Sequence, residues 1–354
     1  MSLPSQLDDE INNFGIHQLG GRVLPNWALL EQQVFKYFDQ CGHNSTRVDA
    51  LFNRFARFWS LLFQLYRFEE ADMFWEMPLK YAVTWEAQRN KTLHKGTPYY
   101  FRAMAAIGAR NIDRGFLFFH QAAQEDDKTF GSAVTAPAWS FVTLDYANVH
   151  QAALHLVKSR ADWLNRRIQD YQARGRGSLT MDRLRKRVLL QPQLPDATIS
   201  FTHSVFRAEN LLSLSPQFRS SRFASQLELD ALTGLSRIAE SWLKNRQPPT
   251  NKRERQLGGQ LRRFFAGQGW SLTRQELSQI NKADFDNTIT ALLDGQQGPL
   301  LRVYQASQAD LLVTYAVRNH AAHDVTSSQV VYMRFEELLD RVFHGLFVVA
   351  EKLF

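Results

Sequence analysis

The chain has 354 residues, a formal net charge of +7 at pH 7 and 44% hydrophobic residues, a composition that excludes an intrinsically disordered protein. A single cysteine, Cys41, excludes an internal disulfide and suits a reducing cytoplasm. No apolar stretch approaches the roughly 20 residues of a membrane span, and no phosphate-loop or nucleophile-elbow motif indicates an NTPase or a serine hydrolase. We therefore expect a cytoplasmic globular protein without a membrane partner.

The N-terminal part of the chain carries a helical pattern throughout. Apolar residues recur at three- and four-residue steps over residues 27–66. Glu69–Arg89 predicts a longer helix that Pro78 kinks or splits. Thr97–Gly108 and Ile112–Gln124 predict a helical hairpin, with small Gly and Ala residues where the two helices must approach closely.

This hairpin resembles one tetratricopeptide-type repeat. Such repeats work in stacks, so the resemblance implies a helical-repeat-like region over residues 45–155. It also implies a surface that recognises or positions a protein partner. An ordinary α-helical bundle is the alternative. We assign residues 1–171 to an N-terminal, repeat-like domain.

The middle of the chain is strongly basic. Residues 158–187 contain ten Lys or Arg against three Asp or Glu, and Arg174–Gly177 interrupts the helical pattern. We therefore predict a basic hinge over residues 172–197. A solvated linker is one interpretation of its charge, and contact with an RNA backbone is the other. The candidate RNA-binding residues of this stretch are Arg185, Lys186 and Arg187.

Residues 198–354 are predicted to form a bundle of four or five helices, with no run of alternating strand residues. Asn251–Phe265 is basic and amphipathic, and its Arg262 and Arg263 are further candidates for RNA binding. Positive charge accumulates in this direction, because residues 1–150 hold 14 Lys/Arg and 16 Asp/Glu whereas the rest of the chain holds 28 and 19. A basic domain favours a polyanionic partner, although a solvated surface would have the same composition.

A polar cluster follows an apolar helix near the end of this bundle. Residues 310–317 are apolar, and Ser307 followed by Asp310 predicts a capping box at the start of that helix. Arg318, Asn319, His320 and His323 come next, and holding such groups at the end of a core helix is costly.

Arginine suits a phosphate and histidine can move protons near neutral pH, which together are sufficient for RNA cleavage. Positions five apart lie about 140° around a regular helix, so we expect the helix to loosen between Arg318 and His323. Both side chains would then face one cleft.

The pattern Arg318-Asn319-x-x-x-His323, set before a last apolar helix, resembles the signature of the HEPN superfamily. These are all-α bundles, many of which are metal-independent endoribonucleases. The resemblance implies an all-α chain in which a helical-repeat-like domain precedes a HEPN-like bundle. It implies catalytic roles for Arg318 and His323, with Asn319 orienting the arginine or binding phosphate. It further implies a homodimer whose cleft combines both motifs, and a role as a toxin or as an anti-phage or CRISPR-associated defence effector.

Other interpretations of the same residues remain. The chain could be a non-catalytic scaffold whose bundle dimerises or binds RNA or a nucleotide. Arg318 could be structural, Asn319 a helix C-cap and His323 a helix-terminal residue facing the helix dipole. His320 and His323 have a His-x-x-His spacing that could bind a metal, but no third ligand accompanies them. We predict no metal and no cofactor.

Overall fold

The computed structural model describes residues 27–41, 45–89, 92–131, 136–191, 193–214, 222–323 and 328–354. Every regular element within these ranges is helical and none is a strand, which confirms the predicted all-α fold class. Contacts group the chain into two compact units, residues 1–157 and 158–354. No helix in the described ranges combines the length and the hydropathy that crossing a membrane requires.

The first unit is a succession of helices in which sequence neighbours pack against each other, and the first helix packs mainly on the third. They are α1 (Trp27–Cys41), α2 (Ser45–Gln64), α3 (Phe68–Arg89), α4 (Gly96–Gly108), α5 (Ile112–Phe130) and α6 (Pro137–Val142). The core is largely aromatic, and each fully buried aromatic side chain contributes roughly 1.5–3 kcal/mol. Its members include Trp59, Trp75, Trp139, Phe55, Phe74, Phe119 and Phe141.

The predicted hairpin is confirmed as α4 and α5. Asn111 ends the turn between them and caps α5, because its side chain accepts a hydrogen bond from the Arg114 backbone N–H at 3.3 Å. Gly115 allows the two helices to approach, since a Cβ there would lie 2.6 Å from Ile107. The prediction that Pro78 could split its helix is wrong. α3 continues past this buried proline, because packing against α1, α2 and α4 offsets the hydrogen bond that proline cannot donate.

The second unit begins inside α7 (Leu154–Ala173). Its remaining helices are α8 (Met181–Leu184), which continues as a π-helical turn over Arg185–Leu189, then α9 (Pro195–Ser213), α10 (Arg222–Arg246), α11 (Leu257–Gly267), α12 (Arg274–Lys282), α13 (Phe285–Asp294), α14 (Ala306–His323) and α15 (Gln329–Leu353). Helices α10, α14 and α15 pack against one another and form the centre of the unit. Gly345 on α15 lets the α14 backbone come close, since a Cβ there would lie 3.0 Å from the Asp310 carbonyl oxygen.

Residues 172–197, predicted as a basic hinge, lie within the second unit. The predicted interruption is present, because α7 ends at Ala173 and Gly175 has a φ of 66°. After it, Leu184, Val188 and Leu189 are buried in the unit. The contact boundary between residues 157 and 158 therefore precedes this stretch.

Candidate functional site: the polar end of α14 and a basic cleft

Helix α14 changes character along its length. Residues 308–317 are buried, as the sequence predicts, and the polar cluster follows. The predicted capping box is wrong, because the helix already begins at Ala306. The backbone N–H of Gln305 donates to the Gln308 side chain at 3.4 Å, whereas Asp310 is fully buried and paired with arginines. The apolar half thus anchors the polar end.

Arg318 is held by a carboxylate of a neighbouring helix. Its Nε donates to Oε2 of Glu240 on α10 at 3.1 Å, and Lys244 Nζ approaches the other oxygen of that carboxylate at 2.5 Å. The Arg318 side chain is 31% exposed, against 10% for Glu240. Its Nη nitrogens make no hydrogen bond to any described residue, so the outer edge of the guanidinium can bind an anion.

Asn319 belongs to a chain of hydrogen bonds that connects α14 to α12. Its side-chain nitrogen donates to Oδ1 of Asn281 at 2.8 Å, and the Asn281 nitrogen donates to the Tyr315 hydroxyl at 2.7 Å. Burial raises the pKa of Tyr315, so this hydroxyl stays neutral and accepts the bond. Asn319 is not a helix C-cap, because α14 continues to His323.

The two histidines have different surroundings. The ring of His320 stacks on Phe285 at the start of α13, with centroids 3.9 Å apart and an interplanar angle of 11°. His323 is the last residue of α14, and its side chain lies outside the described residues. The backbone is helical through His323 and is not loosened after Arg318, so the two positions lie about 140° apart around the axis. The two motif residues of one chain therefore do not share a face of α14.

A cleft of about 1310 Å³ lies between α11 and α12, beside this hydrogen-bonded chain. Asn281 and Tyr315 line it, and so the cleft reaches the residues that hold Asn319. One acidic residue, Glu254, contributes to the lining among the described residues. The cationic lining residues are Lys252, Arg262, Arg263, Arg274 and Lys282.

Most of this positive charge is not neutralised by the protein. Arg263 pairs with Glu254 at 3.3 Å and donates to the Pro248 carbonyl oxygen at 2.9 Å. Hydrogen bonds from Thr250 lower the pKa of Glu254 and keep it ionised. The other four cations have no acidic partner in the part of the chain that the structure describes. They are Lys252, Arg262, Arg274 and Lys282.

The predicted RNA-binding residues separate into two groups. Arg262 and Arg263 line the cleft, whereas the other three lie on the π-helical turn after α8 and do not. Lys186 pairs there with Asp182 at 3.0 Å on an exposed surface. Arg274 and Lys282 were not predicted from sequence, because only the turn between α11 and α12 brings them opposite Arg262.

Sequence reasoning missed a buried ionic cluster at the centre of the second unit. Asp310 is fully buried and pairs with Arg341 Nε at 2.7 Å and with Arg176 Nε at 3.0 Å. Burial raises the pKa of Asp310 to about 6, and the two guanidinium groups oppose this rise. Ionisable residues inside otherwise apolar helices were the signal that could have revealed it. The cluster connects α14 to α15 and to the segment after α7.

His344 extends this cluster toward the surface. Arg176 Nε donates to its Nδ1 at 3.1 Å, so Nε2 carries the ring proton and faces Asp170 at 3.3 Å. Burial, aided by Arg176, lowers the pKa of His344 to about 3. Nearby, Glu351 accepts hydrogen bonds at 2.8 Å from the Tyr171 hydroxyl and from the Ser178 backbone N–H. The segment after α7 is thereby fastened to α15.

Among the described residues, no group of three or more His, Cys, Asp or Glu side chains is arranged to hold a metal ion. The His-x-x-His interpretation depends on the His323 side chain and therefore lies outside the described residues. Comparisons with protein-family models, with curated proteins and with solved structures find no match to this chain.

Proposed function

We propose that the chain binds RNA in the cleft between α11 and α12 and cleaves it without a metal ion. The observation that carries the proposal is the convergence of four cations without acidic partners on a cleft whose Asn281 is hydrogen-bonded to Asn319. Backbone phosphates supply the missing anions, and displacing their counterions drives binding. The cleft would bring an RNA strand to the Arg-Asn-x-x-x-His segment, which resembles the HEPN signature.

Arg318 is the proposed phosphate ligand and His323 the proposed proton carrier. The 2′-oxygen attacks the adjacent phosphorus, a 2′-O–P bond forms and the P–O5′ bond breaks. His323 takes the 2′-hydroxyl proton or delivers one to the leaving 5′-oxygen. The products carry a 2′,3′-cyclic phosphate and a 5′-hydroxyl, and the reaction requires no metal ion.

The proposed active form is a homodimer that joins two α14 ends. One arginine and one histidine are too few for the full cleavage rate, because the reaction must bind a phosphate, stabilise its developing charge and move two protons. The 140° separation on α14 supports a composite site, because Arg318 of one chain can then face His323 of its partner. The first unit would contact a protein partner or an antitoxin, as expected of a toxin or a defence effector.

The second candidate is a scaffold that binds RNA without cleaving it. The observation in its favour is the ion pair between Arg318 and Glu240, which occupies one donor of the proposed phosphate ligand. A phosphate must share or displace Glu240 before Arg318 can act. Cleavage assays separate the two candidates.

The test is incubation of the full chain with RNA in EDTA, followed by mapping of the cut ends. We expect His323→Ala to lower the cleavage rate by about 10²–10⁴-fold. Arg318→Lys should also lose cleavage activity, because an ammonium cannot reproduce the planar guanidinium. His320→Ala should have a milder effect, since that ring stacks on Phe285. Lys128→Ala, an exposed cation of the first unit, is the matched control.

Mixing the variants tests the composite site. Arg318→Ala and His323→Ala chains are each inactive alone, but a mixed dimer regains one complete pair and therefore part of the activity. RNA binding without cleavage by the wild type would favour the scaffold. Cleavage only with added divalent metal, or a normal rate for His323→Ala, would refute the proposed chemistry. A monomer in sedimentation would refute the composite site.

A further inference from the structure

Trp270 has an unusual position among the tryptophans of the second unit. It lies in the turn between α11 and α12 and lines the basic cleft. The other two tryptophans of the second unit, Trp163 and Trp242, are buried, whereas Trp270 is only half-buried. Part of a large aromatic surface is thus left in contact with water inside a cationic cleft.

The indole is nevertheless firmly placed. It makes edge contacts with Phe264, at 6.2 Å and 77°, and with Phe265, at 5.4 Å and 80°. Both phenylalanines are fully buried on α11, so they fix the position of the indole from below. A rigid aromatic group loses little conformational entropy when it binds a ligand.

Cations from both walls line the same cleft as this indole. Arg274 begins α12 four residues later, and Arg262 and Arg263 lie on α11 before the turn. Arg262 is half-buried and has no acidic partner in the described part of the chain, so its guanidinium is available to a phosphate bound in the cleft.

We propose that Trp270 is a base-stacking residue that makes the cleft selective for single-stranded RNA; this inference rests on the proposed RNA binding. An aromatic face beside a cationic track is how proteins bind an unpaired strand, because the base stacks while the phosphates follow the cations. In a duplex the bases stack on each other and their faces are not accessible. The cleft therefore distinguishes a single strand from a duplex, because only the single strand offers a base face that can stack on Trp270.

The position of Trp270 would also fix the register of a bound RNA strand relative to Arg318. Trp270 lines the cleft just after the end of α11, and Tyr315 lines it beside the start of α11, where Asn281 donates to its hydroxyl and a Cβ at Gly258 would lie 3.2 Å away. Between these ends α11 extends over 11 residues, which corresponds to roughly 16 Å. A base stacked on Trp270 would hold the strand at a fixed distance from Arg318, so cleavage should occur a fixed number of nucleotides from the stacked base.

The test is binding of a fluorescent, 2′-O-methylated 12-nucleotide single strand to the full chain, with an unlabelled strand and a blunt-ended duplex of the same length as competitors. We expect the single strand to compete at least ten times better than the duplex. Trp270→Ala should weaken binding by about 5- to 150-fold, whereas Trp270→Phe should retain most of it. Tyr332→Ala removes an exposed aromatic side chain outside this cleft and should change nothing.

The outcomes separate this inference from the proposed function. If Arg262→Ala and Arg274→Ala weaken binding but Trp270→Ala does not, RNA binding stands and base stacking is refuted. Equal competition by duplex and single strand refutes it as well, and this arm requires no variant. If the wild type binds neither RNA, the proposed function itself fails.

Discussion

The buried carboxylate of Asp310 should be one of the most sensitive positions of the second unit. Replacing it with asparagine keeps the shape of the side chain but leaves two guanidinium groups, on Arg176 and Arg341, without their anion. Their side chains are only 5% and 10% exposed, so water cannot replace the carboxylate. Removing one partner of a buried ion pair costs about 3–5 kcal/mol.

This loss should be measurable by urea unfolding and by thermal unfolding of the full chain, followed by circular dichroism. For a unit of this size the expected loss corresponds to a fall in Tm of roughly 6–20 °C. A pH near 7.5 suits the assay, since the pKa of Asp310, about 6, leaves it ionised. Two transitions are possible for a chain with two units, and only that of the second unit should move.

Asp182→Asn provides the matched control. Asp182 pairs with Lys186 at 3.0 Å, but both side chains are more than 60% exposed, so its loss should cost less than about 1 kcal/mol. A double-mutant cycle of Asp310→Asn with Arg341→Gln should recover a coupling free energy of about 1 kcal/mol or more. If Asp310→Asn unfolds at the same urea concentration as the wild type, the buried cluster does not stabilise the unit and the reasoning fails.

Two further predictions concern the same helices. The pKa of His344, about 3, lies below its ordinary value of 6.5, so the stability it contributes is complete above pH 6.5 and is lost as pH falls toward 3. The stability advantage of the wild type over His344→Gln should therefore shrink by about 2 kcal/mol between pH 7 and pH 5 in urea unfolding; an unchanged difference would show that His344 is accessible to protons. Gly345→Ala should destabilise by about 1–3 kcal/mol because the α14 backbone cannot give way, whereas Gly267→Ala, with nothing within 4 Å, should be neutral or stabilising; equal effects would exclude the close approach.

The helices could be predicted because their apolar residues repeat at helical spacing. This holds for the α4–α5 hairpin and for the two long helices α14 and α15, whose cores match the predicted apolar segments. Periodicity reports which face of a helix is buried. It does not report which helices meet, so the packing of α10 against α14 and α15 could not be predicted from it.

The ionic residues were harder to predict because composition does not reveal burial. Arg176 belongs to a basic stretch that resembles a solvated linker, and Asp310 has the spacing of a capping residue. Their pairing depends on a contact between segments 134 residues apart in sequence. In the cleft, Arg262 and Arg263 could be predicted from an amphipathic helix, whereas the role of Trp270 depends on the turn that follows it.

The hydrogen bonds of Glu351 have a consequence for how the second unit is made. Glu351 is synthesised 180 residues after Tyr171, and its carboxylate accepts a hydrogen bond from the Tyr171 hydroxyl. At 5–20 residues per second, a ribosome needs on the order of 10–40 s to cover that separation. Throughout this interval the nascent segment around Tyr171 and Ser178 lacks its partner on α15. The unit should therefore close only after α15 has been synthesised, and a chaperone could shield the exposed face of α7 during this interval.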